Sequence, residues 1–143
     1  MIFGFNGNQI YVLLIDRENQ LKNVISEYAL PGNLICDDEN LDMAAERVLK
    51  ELTGLSVIYL EQFGAFGDPD RIKKKEDQPW LKAVRSIPNA RVITVGYYSL
   101  IRMSDYELNP SSFAKNAKWM PLNSIKKLPF DHLKILNSSV EYL

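Results

Sequence analysis

Three charged residues near the middle of the chain could bind an anion. Asp68 and Arg71 belong to the turn-like segment Gly67-Asp68-Pro69-Asp70-Arg71, and Arg91 precedes a stretch rich in Val, Ile, Thr and Tyr. Arginine presents a planar fork of donors that suits phosphate or carboxylate, and these residues could also bind sugar hydroxyls. The alternative interpretation is turn chemistry and surface charge, since aspartate before proline favours turns whatever the function.

Aromatic side chains and a lone histidine offer further candidates. Tyr97 and Tyr98 are consecutive in a predicted strand, so one of them should face a pocket while the other packs or meets a partner. This alternation does not distinguish the two, and we place Tyr98 among the ligand-binding candidates. Trp119 is more simply explained as a half-buried core residue than as a stacking platform. His132 is more simply the start of a helix beside Asp131 than a catalytic base.

One helix must position most of the remaining chemistry. From Leu41 to Thr53 the apolar residues recur on a single helical face and the charged residues lie opposite. Asn40 stands where an N-cap belongs, and Gly54 closes the segment as a C-terminal glycine does. We therefore predict a helix over 41–53 with a cap at each end.

Strands are predicted to outnumber helices. The run from Ile10 to Ile15 is almost continuously apolar, which suits a strand covered on both faces. A loop is predicted over 17–23, a short helix over 78–86 within a charged insert at 72–89, and a helix from Asp131 onward. These patterns indicate an α/β or α+β sandwich with a mixed sheet. Extended segments are predicted over Ile2–Phe5, Gln9–Asp16, Tyr28–Gly32, Ser56–Phe66, Arg91–Arg102 and Lys115–Met120.

The segment from residue 32 to 55 resembles the Nudix box, G-x5-E-x7-R-E-U-x-E-E-x-G-U with U aliphatic. Seven residues separate Glu39 from Arg47, as the box requires. Three positions depart from the pattern, because Asn33, Val48 and Leu52 occupy places where the box has a glycine and two glutamates. The residues that match in register are Glu39, Arg47, Glu51, Gly54 and Leu55, and Gly32 lies one position before the place of the box glycine.

The resemblance implies a Nudix-like α/β/α sandwich and a specific chemistry. In the family, glutamates on one helix face hold magnesium or manganese ions that bridge a diphosphate and activate water. Here positions 48, 51 and 52 read Val, Glu and Leu, so Glu51 is the remnant catalytic residue, and Glu51 and Glu39 are the remaining metal candidates. Arg47 joins Asp68, Arg71, Arg91 and Tyr98 as a candidate for ligand binding. Alternatively, Glu51 is a surface residue paired with Arg47.

The resemblance extends beyond the box to a branch that includes Nudix-related transcriptional regulators. In those regulators a Nudix domain binds ADP-ribose-like metabolites or a sugar, and a winged helix-turn-helix domain that follows it binds DNA. We therefore expect one Nudix-like domain over 1–143 without a winged helix-turn-helix domain, a homodimer, and DNA contact only through a C-terminal domain outside this chain. The insert at 72–89 departs from the pattern. The similar segments are 60–71, 91–100, 117–119 and 130–132.

Composition excludes several other classes of function. The 17 basic and 18 acidic residues give a formal net charge of -1, so no global basic field attracts nucleic acid or a membrane surface. The single cysteine, Cys36, excludes an internal disulfide and a multi-cysteine zinc site. No signal peptide or apolar stretch of about 18 residues is present. These observations predict a cytoplasmic protein with no membrane partner.

The missing carboxylates favour a ligand-sensing domain over a working hydrolase. The leading hypothesis is a sensor that binds an ADP-ribose-like nucleotide or a sugar without a cofactor, as part of a transcriptional regulator. The alternative is a magnesium-dependent Nudix hydrolase of nucleoside diphosphate-linked substrates, with oxygens from Glu39, Glu51 and either Asp68 or Glu61. A third hypothesis is a protein-interaction or dimerisation module that keeps the fold alone.

Overall fold

The computed structural model of the protein describes residues 1–17, 28–109 and 114–143. None of the helices in these ranges combines the length and the apolar composition needed to cross a bilayer. The strands are β1 (Ile2–Phe5), β2 (Ile10–Arg17), β3 (Tyr28–Ala29), β4 (Glu61–Phe66), β5 (Thr94–Arg102) and β6 (Ala114–Pro121), and the helices are α1 (Leu41–Thr53), α2 (Gln78–Val84) and α3 (His132–Val140).

The strands form one mixed six-stranded sheet. Strand β2 is an interior strand, because Val12 pairs with both Phe3 of β1 and Met120 of β6. These two antiparallel neighbours therefore lie along opposite edges of β2. Strand β3 continues the β1 edge, and β1 in turn pairs in parallel with β5. Strand β4 completes the order as the antiparallel neighbour of β5.

The two faces of β2 are covered by different helices. Val12 and Leu14 belong to a core cluster that includes Ile135 and Leu136 of α3. Leu13 belongs to a second cluster with Leu49 of α1, on the opposite face. Consecutive strand residues point to opposite faces, so a run without polar residues is what a doubly covered strand requires. The predicted α/β/α sandwich with a mixed sheet is confirmed.

Helix α1 begins and ends where its capping residues predict. The Asn40 side chain accepts a hydrogen bond from the Met43 amide at 2.9 Å, which satisfies one of the free amides of the first turn. Gly54 adopts a left-handed conformation with φ of 78°, and its amide donates to the Lys50 carbonyl. Local chemistry alone therefore fixes the bounds of the helix that carries the box residues.

Two predicted strands are longer than those observed. The strand predicted over Ser56–Phe66 is wrong for 56–60, because Val57 has a left-handed φ of 57° and its side chain is fully exposed, and β4 begins only at Glu61. Strand β5 begins at Thr94 rather than at Arg91, which leaves 91–93 free to border a cavity. The predicted loop over 17–23 overlaps β2 at Arg17, and its other residues lie outside the described ranges.

Gly54→Ala should destabilise the protein more than Gly7→Ala. Both glycines have positive φ, so both substitutions incur roughly 1–2 kcal/mol of backbone strain. A Cβ atom at Gly54 would also lie 2.5 Å from the Asn109 carbonyl oxygen, whereas one at Gly7 would meet nothing within 4 Å. We expect a further loss of roughly 1–3 kcal/mol for Gly54→Ala in urea unfolding. Equal losses of stability in the two variants would show that the close approach of Asn109 to Gly54 does not constrain the helix cap.

Candidate ligand-binding site

A cavity of about 420 Å³ lies between the sheet, α1 and the insert. This volume is within the range typical of pockets for small ligands. One wall comes from the segment after β3 and from α1, and the other from the start of β5, the insert and the start of α3. Its apolar residues include Leu34, Ile35, Val48, Ile72, Leu81, Val92 and Ile93.

Aromatic side chains border the cavity from three elements. Phe63 of β4, Tyr97 of β5, and Trp80 of α2 all line it, together with Phe130 before α3. The Tyr97 hydroxyl donates to Asp42 of α1 at 2.7 Å, which links the two walls. Burial, together with that hydrogen bond, raises the pKa of Tyr97 to about 12. Tyr97 therefore remains a neutral hydroxyl at physiological pH, and the cavity offers flat apolar surfaces to a ligand ring.

The charged residues of the cavity wall are all basic. Arg71, Arg85 and Arg91 line it, and no aspartate or glutamate does so among the described residues. In a partly enclosed site with walls of low dielectric, charges of one sign create a potential that favours a ligand of opposite sign. The wall therefore suits an anionic ligand.

Arg71 is buried and already paired. Its Nε and one terminal nitrogen donate to the two carboxylate oxygens of Asp131 at 3.0 and 2.8 Å. The Arg71 side chain is 4% exposed and that of Asp131 13%. Removing one partner of such a pair leaves a buried charge without compensation. Arg71 thus ties the turn after β4 to the start of α3, and its predicted role in ligand binding stays a prediction.

Arg91 and Asp68 both lie at the turn that follows β4, where Arg91 contacts the residue before Asp68. Arg91 lines the cavity and donates to the Gly67 carbonyl at 2.6 Å. Asp68 is exposed and pairs with Lys134 of α3 at 2.6 Å. That hydrogen bond and the charge of Lys134 lower the pKa of Asp68. Of this pair only Arg91 borders the cavity.

Arg47 organises the loop at residues 33–39, which we call the box loop. It donates four hydrogen bonds, two to Glu39 at 2.8 and 2.6 Å, one to Glu51 at 3.0 Å and one to the Leu34 carbonyl at 2.9 Å. Glu39 also accepts from the Cys36 amide at 2.8 Å. The alternative pairing of Glu51 with Arg47 is therefore observed. Arg47 lies outside the cavity lining, and its predicted contact with a ligand stays a prediction.

The box residues do not fit a divalent metal ion. Glu39 and Glu51 both pair with Arg47, and neither lines the cavity. Val48 borders the cavity with an apolar side chain, and Leu52 is completely buried against Ile15 and Ala29. Within the described ranges, no three His, Cys, Asp or Glu side chains cluster as metal ligands would. A hard cation needs several oxygen ligands, and the described residues do not bring that many together at the box.

Tyr98 and His132 lie on the side of the sheet that α3 covers. Tyr98 contacts Phe63 and Tyr142, with ring centroids 6.0 and 5.5 Å apart, and its hydroxyl donates to Glu61 at 3.2 Å. Tyr97, rather than Tyr98, is the tyrosine that lines the cavity. His132 is the first residue of α3, as predicted, and its Nδ1 accepts from the Leu30 amide at 3.3 Å.

Two residues of the insert were missed as site candidates. Trp80 and Arg85 line the cavity, although the sequence suggested only a charged insert with one short helix. Helix α2 does form, but its burial depends on contacts with Phe130, about fifty residues away along the chain. No local pattern in the insert signals that contact.

Two named proteins are similar in sequence to most of this chain. No family model matches it. The chain is 30% identical over 142 residues to the ADPR responsive transcriptional repressor NtrR of Acinetobacter baylyi, across 96% of this chain and 50% of that protein. It is 30% identical over 132 residues to the ADP-ribose pyrophosphatase of Methanocaldococcus jannaschii, across 92% of this chain and 66% of that protein. The chain thus spans about half of the first relative and 66% of the second.

A solved structure with a bound nucleotide shares the fold. The NUDIX domain of Shewanella oneidensis NrtR, crystallised with ADP ribose, matches with a TM-score of 0.76 and 25% sequence identity. The match covers 99% of this chain and 82% of that domain. The resemblance predicted from the box spacing is confirmed.

Lowering the pH should destabilise the wild-type protein more than it destabilises the Glu39→Gln variant. Hydrogen bonds from Arg47 and from the Cys36 amide lower the pKa of Glu39 to about 2. A carboxylate with a depressed folded-state pKa contributes stability above its ordinary pKa and loses it as the pH falls toward 2. Thermal unfolding between pH 7 and 2 should therefore show Glu39→Gln less stable at neutral pH, with the difference closing in acid.

Glu46→Gln is the matched control for this titration. Glu46 is an exposed glutamate of α1, next to Arg47 in the chain, and it forms no ion pair with the described residues. Its unfolding profile should parallel that of the wild type. If Glu39→Gln also runs parallel to the wild type, the Arg47 pairing does not contribute to stability in the way the geometry indicates.

Proposed function

The chain is a Nudix-related domain, and on that basis we propose that it binds an ADP-ribose-like nucleotide in its cavity without hydrolysing it. The observation that carries this proposal is the separation of charges at the site. The cavity wall holds three arginines and no acidic residue among the described ones, while both box carboxylates are paired with Arg47 outside it.

The cavity chemistry matches the parts of such a ligand. A diphosphate is doubly anionic and favours arginine, whose guanidinium donates two parallel hydrogen bonds to phosphate oxygens. A base or ribose ring favours flat apolar surfaces of the kind that Phe63, Trp80 and Tyr97 provide. Binding without a metal would require that protein cations neutralise the diphosphate, and Arg85 and Arg91 would supply that charge, since Arg71 is paired with Asp131.

We further propose that binding serves to sense the ligand for a transcriptional regulator. The match to the ADPR responsive repressor supports this role, because it covers 96% of this chain. The match to an ADP-ribose pyrophosphatase would by itself favour hydrolysis. The box of this chain argues against hydrolysis, since Val48 and Leu52 replace two carboxylates and Leu52 is fully buried in the core.

ADP-ribose should stabilise the protein in the presence of EDTA. A ligand at a hundred times its dissociation constant raises the free energy of unfolding by about 2.7 kcal/mol, which a thermal shift detects readily. Adenosine, which lacks phosphate, should produce a much smaller shift. No shift with ADP-ribose, ADP or a nucleoside diphosphate sugar would contradict the proposal.

A cavity variant identifies where the ligand binds. Ala45 of α1 lines the cavity, so Ala45→Phe should fill part of it and abolish the shift. Ala83→Phe, on an exposed position of α2 outside the lining, should keep the shift. The melting temperatures without ligand reveal whether either ring disturbs the fold. Equal shifts in both variants would place the ligand elsewhere.

An activity assay separates sensing from hydrolysis. Incubation of the wild type with ADP-ribose and magnesium or manganese should release no AMP above the background without protein. Metal-dependent AMP release that disappears in Glu51→Gln would establish the hydrolase instead, with Glu51 as a residue of its site.

A further inference from the structure

The insert between β4 and β5 is a wall of the cavity rather than a surface loop. Its residues Ile72, Trp80, Leu81 and Arg85 all line the cavity. Leu81 is 3% exposed, so α2 buries its apolar face against the rest of the protein. The insert is thus placed to contact whatever the cavity binds.

Buried polar contacts hold this wall to the start of α3. Asp77, which is 2% exposed, accepts a hydrogen bond from the Phe130 amide at 2.9 Å. Lys74 donates to the Phe130 carbonyl at 2.5 Å, and the rings of Trp80 and Phe130 lie 5.9 Å apart. Phe130 itself has a left-handed φ of 54°, a conformation that these contacts must stabilise. Together with the Arg71 to Asp131 pair, they fix the first part of the insert.

Arg85 follows α2 directly and differs from the other two arginines of the cavity. Arg71 is committed to Asp131, and Arg91 donates to the Gly67 carbonyl. Among the described residues, the Arg85 side chain has neither a hydrogen-bond partner nor an ion-pair partner, although it is half-buried. Its burial lowers its pKa, because the charged form loses hydration. A guanidinium nevertheless stays protonated in proteins, so the cavity lining includes a cationic residue that has no partner among the described residues.

We propose that Arg85 binds the phosphate groups of the ligand, so that the insert determines the preference of this site for anions. This inference rests on the proposed nucleotide binding for the identity of the ligand. The chemistry of the site, an arginine in the lining of a cavity, does not depend on that function. A bound phosphate would supply the charge and the acceptors that the guanidinium lacks, and would offset the hydration that Arg85 loses on burial.

The test uses inorganic pyrophosphate and ADP-ribose as probes in isothermal titration of the full chain. Arg85→Gln should weaken the binding of both probes by roughly ten- to a hundred-fold, as expected for loss of hydrogen bonds to a charged group. Lys82→Gln is the matched control, because it removes the same charge from an exposed position three residues earlier. It should change either affinity by less than about two-fold, as a screened surface charge does.

Melting temperatures and a second variant separate binding from a structural role. Removing a half-buried cation that lacks a partner should leave the melting temperature of the free protein unchanged or higher. Arg85→Lys keeps the charge and loses the planar fork, so its affinity for pyrophosphate should lie between those of the wild type and Arg85→Gln. A lowered melting temperature in Arg85→Gln with unchanged affinities would show that Arg85 is structural and would overturn the inference.

The two probes distinguish failure of this inference from failure of the proposed function. If Arg85→Gln and the wild type bind both probes equally, Arg85 is not an anion-binding residue, while nucleotide binding stands. If the wild type binds pyrophosphate through Arg85 but not ADP-ribose, the anion site stands and the proposed ligand is wrong. If the wild type does not bind pyrophosphate at all, the anion site is overturned.

Discussion

The site depends on the hydrogen bonds that the guanidinium of Arg47 donates. The guanidinium joins Glu39 at the end of the box loop, Glu51 one turn further along α1, and the Leu34 carbonyl near the start of the loop. A loop with few apolar contacts needs such charged hydrogen bonds to hold one shape. Because Asn33, Leu34 and Ile35 line the cavity, the shape of the cavity depends on this one side chain.

Ion pairs also hold several carboxylates outside the cavity. Glu39 and Glu51 neutralise Arg47 outside the cavity, and Lys134 neutralises Asp68 at the surface. The cavity wall is left with arginines alone as its charged residues, among those that the structure describes. In a metal-dependent site the carboxylates would have to turn toward the ligand and hold cations there. In this chain the charged side chains of the cavity wall are the protein's own cations, and this is the physical basis of the proposed binding without hydrolysis.

The packing of α1 disfavours a carboxylate at position 52. Leu52, at a position where the box has a glutamate, is completely buried between Ile15 and Ala29 of the sheet. A carboxylate there would be desolvated without a partner, at a cost large enough to threaten the fold. The apolar residue therefore contributes to the core that holds α1 against β2, so the departure from the box at this position is coupled to the stability of the domain.

Contacts distant in sequence assemble the second wall of the cavity. Arg71 pairs with Asp131, which lies sixty residues later in the chain, and the amide of Phe130 donates a hydrogen bond to Asp77. These contacts hold α2 in place and bring Trp80 and Arg85 to the cavity. A charged surface insert would have no reason to bury an aspartate and partly bury a tryptophan, so the packing of the insert against the start of α3 explains its composition.

The sequence by itself determined the features that depend on neighbouring residues. The helix over 41–53, its caps at Asn40 and Gly54, and the doubly covered strand β2 all follow from hydrogen bonds and apolar patterns within a few residues. The box spacing identified the fold for the same reason, since Glu39, Arg47 and Glu51 meet across two turns of one helix and the loop before it. Tertiary structure alone decided that Tyr97 rather than Tyr98 lines the cavity and that Arg85 reaches it. Those outcomes depend on strand register and on which distant surface covers each side chain, and no short stretch of sequence specifies either.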